Sequence, residues 1–150
     1  AAALRDFRGV AHRIEFVREL NGVKYYNDSK GTNPDAAIRA VLAMDGPAVL
    51  IAGGYDKHAD FTEWVDAFSG RVKVAVLIGE TADQIEETMG KRTPGIQVIR
   101  SESLQDAVRA AGARAQPGDN VLLSPACASW DMFRDYERRG DLFRQYVLDL

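Results

Sequence analysis

The stretch YNDSKGTNPDAA, Tyr26 to Ala37, sets an aspartate, a serine, a lysine, a threonine and an asparagine in close succession before a proline and an apolar, helix-forming run. Asn33 or Thr32 suits a helix N-cap, because a side-chain oxygen there satisfies backbone N–H groups that have no intrahelical partner. Pro34 fits the first turn, where its missing N–H costs nothing. Capping leaves Asp28 and Lys30 without a task. A second polar loop, GGYDKHADF, leaves an apolar run through Gly53-Gly54 and brings Lys57 in front of a helix expected to begin near Asp60 or Phe61. A cation beside a helix N-terminus receives a carboxylate or phosphate well, since the N–H dipoles and the charge add. A solvated lysine, or one paired with Asp56, is the plainer alternative. A third loop, SPACASWDMF, is built of small residues that let backbone N–H groups approach a ligand, with Ser129 as the expected cap of a helix starting near Trp130. On that helix Phe133 and Tyr136 stand three apart, the spacing of core residues. Cys127 needs a base beside it to act as a nucleophile, and the two histidines, His12 and His58, are distant in sequence; it reads as a packing residue. His12 and Arg13 precede the first strand-like run, and Arg13 could fork onto a phosphate or lie on the surface.

These loops need elements to hold them. Ile14 to Leu20 and Val23 to Ser29 are strand-like runs joined by Asn21-Gly22, a strong hairpin signal. Apolar runs then alternate with amphipathic ones. Helices are expected over Pro34 to Ala43, Phe61 to Phe68, Thr81 to Met89 and Ser103 to Ala115, followed by closing helices. Strands are expected over Ala48 to Gly53, Val72 to Gly79, the short IQVI, and Asn120 to Pro125. Strands that are apolar on both faces and flanked by helices imply a parallel sheet covered on both sides. The fold class is therefore α/β: a Rossmann-like, mostly parallel sheet with helices on both faces and an antiparallel strand pair at the amino-terminal end. In such sheets ligands collect beyond the carboxyl ends of the strands, which selects the three loops.

The chain has 150 residues, 46% hydrophobic and 27% charged, enough for one domain with a real core. Its formal charge of −3 excludes a broad basic surface, so neither nucleic acid nor an anionic membrane is an expected partner, and any phosphate site must be focal. A single cysteine excludes an internal disulfide and a cysteine-rich metal site, and no apolar run approaches membrane-spanning length. No P-loop of the form GxxxxGK[ST] occurs. The chain opens on Ala and begins as if mid-protein, so a fragment of something longer is expected.

Taken in order, HRIE, NDSKGTNPDAA, GGYDKHADF and LLSPACASWDMFRDYERRGD resemble the carboxy-terminal domain of the Mur ligases over essentially the whole chain. The NDSK-x-TNP pattern resembles the D-glutamate-adding member, whereas its siblings resemble D-Y-A-H or D-Y-N-A-N-P there. The resemblance implies a cytoplasmic enzyme of peptidoglycan synthesis. It would use ATP and Mg2+ to convert the carboxylate of UDP-N-acetylmuramoyl-L-alanine into an acyl phosphate, which the amine of D-glutamate attacks. Position by position, Lys57, Thr32 and Ser129 resemble the D-glutamate-binding groups, with Lys30 nearby and Tyr136 at the matching end of the pocket, where phenylalanine is usual. His12, Arg13 and Asp28 resemble the ATP-contacting groups, Arg13 on phosphate and Asp28 on the ribose side. Gly31 stands where alanine is common, a change expected only to loosen the loop.

The resemblance also implies what the chain lacks: P-loop, magnesium ligands and modified lysine belong to a central domain, and the uridine-nucleotide site to an amino-terminal one. Residues 1–150 are thus expected to be a single monomeric domain of a three-domain ligase, holding neither catalytic residue nor metal, binding no cofactor tightly alone, and closing onto the central domain. A domain of another carboxylate–amine ligase, such as folylpolyglutamate synthase, and a non-catalytic Rossmann-like binding module are the alternatives.

Overall fold

A computed structural model describes residues 10–150 of the protein. Strands β1 (Glu15–Leu20) and β2 (Val23–Asn27) pair antiparallel around Asn21 and Gly22, whose φ angles of 54° and 81° give the turn the twist a tight hairpin needs. There follow α1 (Pro34–Ala43), β3 (Ala48–Ala52), α2 (Thr62–Asp66), β4 (Val72–Leu77), α3 (Ala82–Arg92), β5 (Gln97–Arg100), α4 (Leu104–Arg114), β6 (Asn120–Leu123) and α5 (Tyr136–Leu148). The strands form one sheet in the order β1-β2-β6-β3-β4-β5, parallel throughout except for β1.

The preference for right-handed crossovers explains how the layers divide. The connections β2–α1–β3, β3–α2–β4 and β4–α3–β5 all step the same way along the sheet. Their helices bury Ala37, Ala40, Val41, Trp64, Ile85 and Met89 against one face. The connection β5–α4–β6 steps back, so α4 lies on the other face, where Val108 and Ala111 join Phe143 and Val147 of α5. Strand β3, AVLIA, is buried along its whole length, as a central parallel strand must be.

Two expectations need correction. Ile14 adopts φ +43°, which keeps it out of the first strand. No helix starts near Trp130: Ser129 to Asp135 form a turn-rich connection, and α5 begins at Tyr136, capped by Asp135 Oδ1, which accepts from the Arg138 N–H at 2.7 Å. The cause is local competition. Asp131 is drawn away to accept from the Glu80 N–H at 3.0 Å, while Asp135 precedes a run of good helix formers. Phe133 therefore lies outside the helix that carries Tyr136.

Candidate functional site

Strands β2, β6 and β3 are neighbours, so the three loops that follow them emerge side by side at one edge of the molecule. The loop after β6 lies between the others and is bonded to both. The Ala126 N–H donates to Gly31 O at 2.9 Å on one side, and on the other Gly53 and Tyr55 donate to Pro125 O (3.0 Å) and Ala128 O (2.9 Å). The glycines at these seams have no room to change: a Cβ at Gly54 would lie 2.5 Å from Ala128 O, and Gly53 has φ +109°. Gly31 does more than loosen its loop, because a Cβ there would lie 2.5 Å from Asp28 Oδ2 and 3.1 Å from Ser124 Oγ.

Arg139 of α5 ties the same loops from beneath. Buried to 1% exposure, it donates from Nε to Ser29 Oγ (2.9 Å), from Nη2 to Ser29 O (2.7 Å) and from Nη1 to Cys127 O (3.0 Å). Burial brings its pKa down to about 10, which leaves it charged at neutral pH. Sequence reasoning passed over Arg139. The signal was present: residues 139, 143 and 147 share the buried face of α5, so an arginine occupied a core register.

On the β2 side, Asp28 is buried, with Oδ1 accepting from the Ile14 N–H (3.1 Å) and Oδ2 from Ser124 Oγ (2.8 Å). Burial pushes its pKa up to about 6, against the opposing pull of those bonds and of the Arg13 and Arg139 charges. Asp28 opens onto a cavity of about 290 Å³ that Arg13, Lys30, Gly31, Asn33 and Arg39 also line. Three cations and one carboxylate at a single cavity suit a ligand carrying both phosphate and hydroxyl groups. Arg39 was not singled out from the sequence. A larger, mostly apolar depression of about 450 Å³, lined by residues such as Val23, Tyr25 and Gly112, contains none of the residues singled out.

His12 is not among the residues lining that 290 Å³ cavity. Its ring is buried, with Nδ1 2.9 Å from the Asn27 side-chain amide and Nε2 3.5 Å from Asp141 Oδ1. Its backbone is bent to φ +65°, and its carbonyl accepts from the Lys30 N–H at 2.9 Å. It thus anchors the chain ahead of β1 to α5 and to the loop after β2.

Thr32, Ser129 and Lys57 sit one on each of the three interlocked loops. Asn33, not Thr32, caps α1, its Oδ1 accepting from the Ala36 N–H at 2.9 Å; this leaves the half-buried Thr32 hydroxyl out of the cap. Ser129 is 2% exposed, and its Oγ has no hydrogen-bond partner among the described residues. Lys57 is exposed, and its ammonium lies 6.0 Å from the centre of the Trp130 ring. Asp56 does not pair with it, turning instead to Gln84 Nε2 (3.0 Å) and His58. Tyr136 opens α5: its carbonyl accepts from Ser29 Oγ at 2.6 Å, and its ring meets His12 edge-on. Cys127 is buried, with its thiol 3.2 Å from Thr81 Oγ and its pKa pushed up to about 11 by burial, so it packs and stays protonated.

A mostly parallel sheet with this strand order, carrying these loops at its carboxyl edge, defines a Rossmann-like α/β domain with a candidate ligand site beyond the strand ends. The family model described as "Mur ligase, glutamate ligase domain" matches residues 12–127, and the chain belongs to that family. It is 56% identical over 151 residues to the UDP-N-acetylmuramoylalanine--D-glutamate ligase of Thermoanaerobacter sp. (strain X514), covering 100% of this chain and 33% of that protein. It is 55% identical over 148 residues to the ligase of the same name from Caldanaerobacter subterraneus subsp. tengcongensis, covering 98% and 33%. The chain therefore spans about a third of the length of these curated relatives. The fold is shared with UDP-N-acetylmuramate-alanine ligase MurC of Thermotoga maritima (TM-score 0.65, 15% identity, covering 99% of this chain and 32% of that one). It is shared too with folylpolyglutamate synthase of Mycobacterium tuberculosis complexed with ADP (TM-score 0.65, 15% identity, covering 89% and 32%).

Proposed function

We propose that this chain is the carboxy-terminal domain of a three-domain ligase, in which it binds D-glutamate and completes the ATP site. The ligase joins D-glutamate to UDP-N-acetylmuramoyl-L-alanine through an acyl phosphate, in the cytoplasm. The observation that carries this reading is the placement of Thr32, Ser129 and Lys57 on three loops locked to one another, together with the identity to relatives named for that reaction.

D-Glutamate is a dianion with a nucleophilic amine, so its pocket needs a cation and neutral donors held still. Lys57 supplies the charge. The unpartnered Ser129 hydroxyl and the Thr32 hydroxyl supply donors, and the first-turn N–H of Tyr136 adds a backbone donor whatever the ring at that position. Arg139 and the glycine seams fix the loops, which orients the amine without spending the ligand's binding energy on ordering them.

The cavity of Arg13, Lys30, Arg39 and Asp28 fits a nucleotide: the cations face phosphate oxygens, and the Asp28 carboxylate accepts from ribose hydroxyls. ATP with its magnesium supplies the phosphoryl group that activates the acceptor carboxylate. The central domain brings the remaining phosphate and metal ligands, and closure onto it excludes water. This chain alone, a monomer, then releases no phosphate from ATP.

The test is Lys57→Ala in the full-length ligase. Loss of one partner of a charge pair costs about 2 kcal/mol at the low end, the figure suited to an exposed lysine. The KM for D-glutamate should therefore rise roughly 30-fold, with the KM for ATP unchanged. An unchanged D-glutamate KM at normal turnover sinks the assignment.

A further inference from the structure

Trp130 is 62% exposed, the most exposed large hydrophobic side chain among the described residues. It follows Ser129, with its unpartnered buried hydroxyl, and its indole meets two side chains of the loop after β3. The Tyr55 ring meets it edge-on, 5.4 Å between centroids and 63° between planes, and the Lys57 ammonium sits 6.0 Å from its centre. Tyr55 is itself pinned by its N–H to Ala128 O in an isolated bridge between the loops after β3 and β6. The ring contact is thus a third tie between two loops already bonded through their backbones. Among the described residues no carboxylate lies within ion-pair reach of Lys57, so the aromatic ring is the one group that restrains its ammonium.

From this arrangement we infer that Trp130 is a positioning residue: its ring holds the Lys57 side chain at the mouth of the amino-acid site before the substrate arrives. The inference rests on the reading of Lys57 as a D-glutamate ligand. A lysine carries many rotamers, and selecting one of them on binding costs affinity. An aromatic face restrains the ammonium without a competing anion, so a carboxylate can take it over while the loop geometry stays as it was. A carboxylate in Trp130's place would hold the lysine more firmly and would have to be displaced.

Exposed contacts of this kind change an equilibrium by roughly two- to sixfold. In the full-length ligase, Trp130→Leu should raise the KM for D-glutamate by that factor, with kcat and the KM for ATP unchanged. Trp130→Phe, which keeps a ring face, should restore most of the loss. In a Lys57→Ala background Trp130→Leu should add nothing. An unchanged or lowered D-glutamate KM in Trp130→Leu overturns the proposal, the lowered value meaning that the ring competes with the substrate. A Trp130→Leu cost that persists without Lys57 also overturns it, because the indole would then touch the ligand itself. If Lys57→Ala alone leaves the D-glutamate KM untouched, the functional reading falls; if Lys57→Ala acts and Trp130→Leu does not, only this inference falls.

Discussion

Asp28 holds a charge where the fold resists one, and replacing it with asparagine separates stability from function. Burial raises its pKa from the ordinary 3.8 to about 6, despite the Ser124 hydroxyl, the Ile14 N–H and two nearby guanidinium groups. The folded chain therefore binds this proton more tightly than the unfolded chain does. Below about pH 4 both states are protonated and the residue carries no penalty. Between about pH 4 and 6 stability falls as pH rises, and above about pH 6 the full penalty is present. A shift of about two units corresponds to about 3 kcal/mol, an upper value for what removal of the charge can return. Asparagine keeps the local bonds, since its carbonyl accepts from the Ile14 N–H and its amide can donate to Ser124 Oγ.

Asp28→Asn should accordingly stabilise the chain at pH 8 by up to about 3 kcal/mol, a rise in Tm of roughly 6–12 °C for a domain of this size. The gain should shrink toward zero near pH 4. In the full-length ligase the same change should weaken ATP and leave D-glutamate alone. Thermal melts of both proteins at pH 4, 6 and 8, followed by circular dichroism, read the difference directly. A gain that does not vary with pH, or a loss of stability at pH 8, would refute the account of Asp28 as a strained, buried carboxylate.

Gly140→Ala should destabilise the chain by about 1–3 kcal/mol in urea titrations, because its Cβ would strike the His12 ring and the overpacking outweighs the gain in helix propensity of about 1 kcal/mol. Thr32→Val, which keeps shape and deletes the hydroxyl, should raise the D-glutamate KM of the full-length ligase while leaving that for ATP unchanged, as steady-state kinetics would report. The purified chain should release no phosphate from ATP on addition of D-glutamate, measured by a coupled phosphate assay.

Much of the fold was legible because local and long-range signals agreed. Asn21-Gly22 fixed the hairpin, and AVLIA could only be a strand buried on both faces. Ser103 caps α4 at the expected place, with its Oγ accepting from the Asp106 N–H at 3.0 Å. The connection from Ser129 to Asp135 was misread because the expected cap, Ser129, starts only a single turn, its carbonyl accepting from the Met132 and Phe133 N–H groups, and Asp131 is claimed by the Glu80 N–H from beyond β4. His12 was read as a ligand group from its motif, and nothing in its neighbours along the chain foretells a ring buried against Asn27 and α5. Local sequence reports caps and periods; it does not report which polar side chain a distant element will claim.

The same limit explains Arg139, and with it why the site holds together at all. Ser29 and Cys127 follow different strands and are tied by one guanidinium from the last helix, whose bonds go to a hydroxyl and two carbonyls rather than to a carboxylate. Hydrophobic packing of Phe143 and Val147 docks α5 on the sheet, and that docking drives Arg139 between the loops. Were α5 undocked, Ser29 O and Cys127 O would each lose a charge-assisted donor, a loss that falls on the loops carrying Thr32 and Ser129. The order of the proposed amino-acid site is therefore coupled to the seating of the carboxy-terminal helix, though no residue of that helix beyond Tyr136 was expected to matter for binding. An arginine in a core register is the sequence mark of such a clamp: its burial is costly, and here a hydroxyl and two backbone oxygens beyond the strand ends offset it.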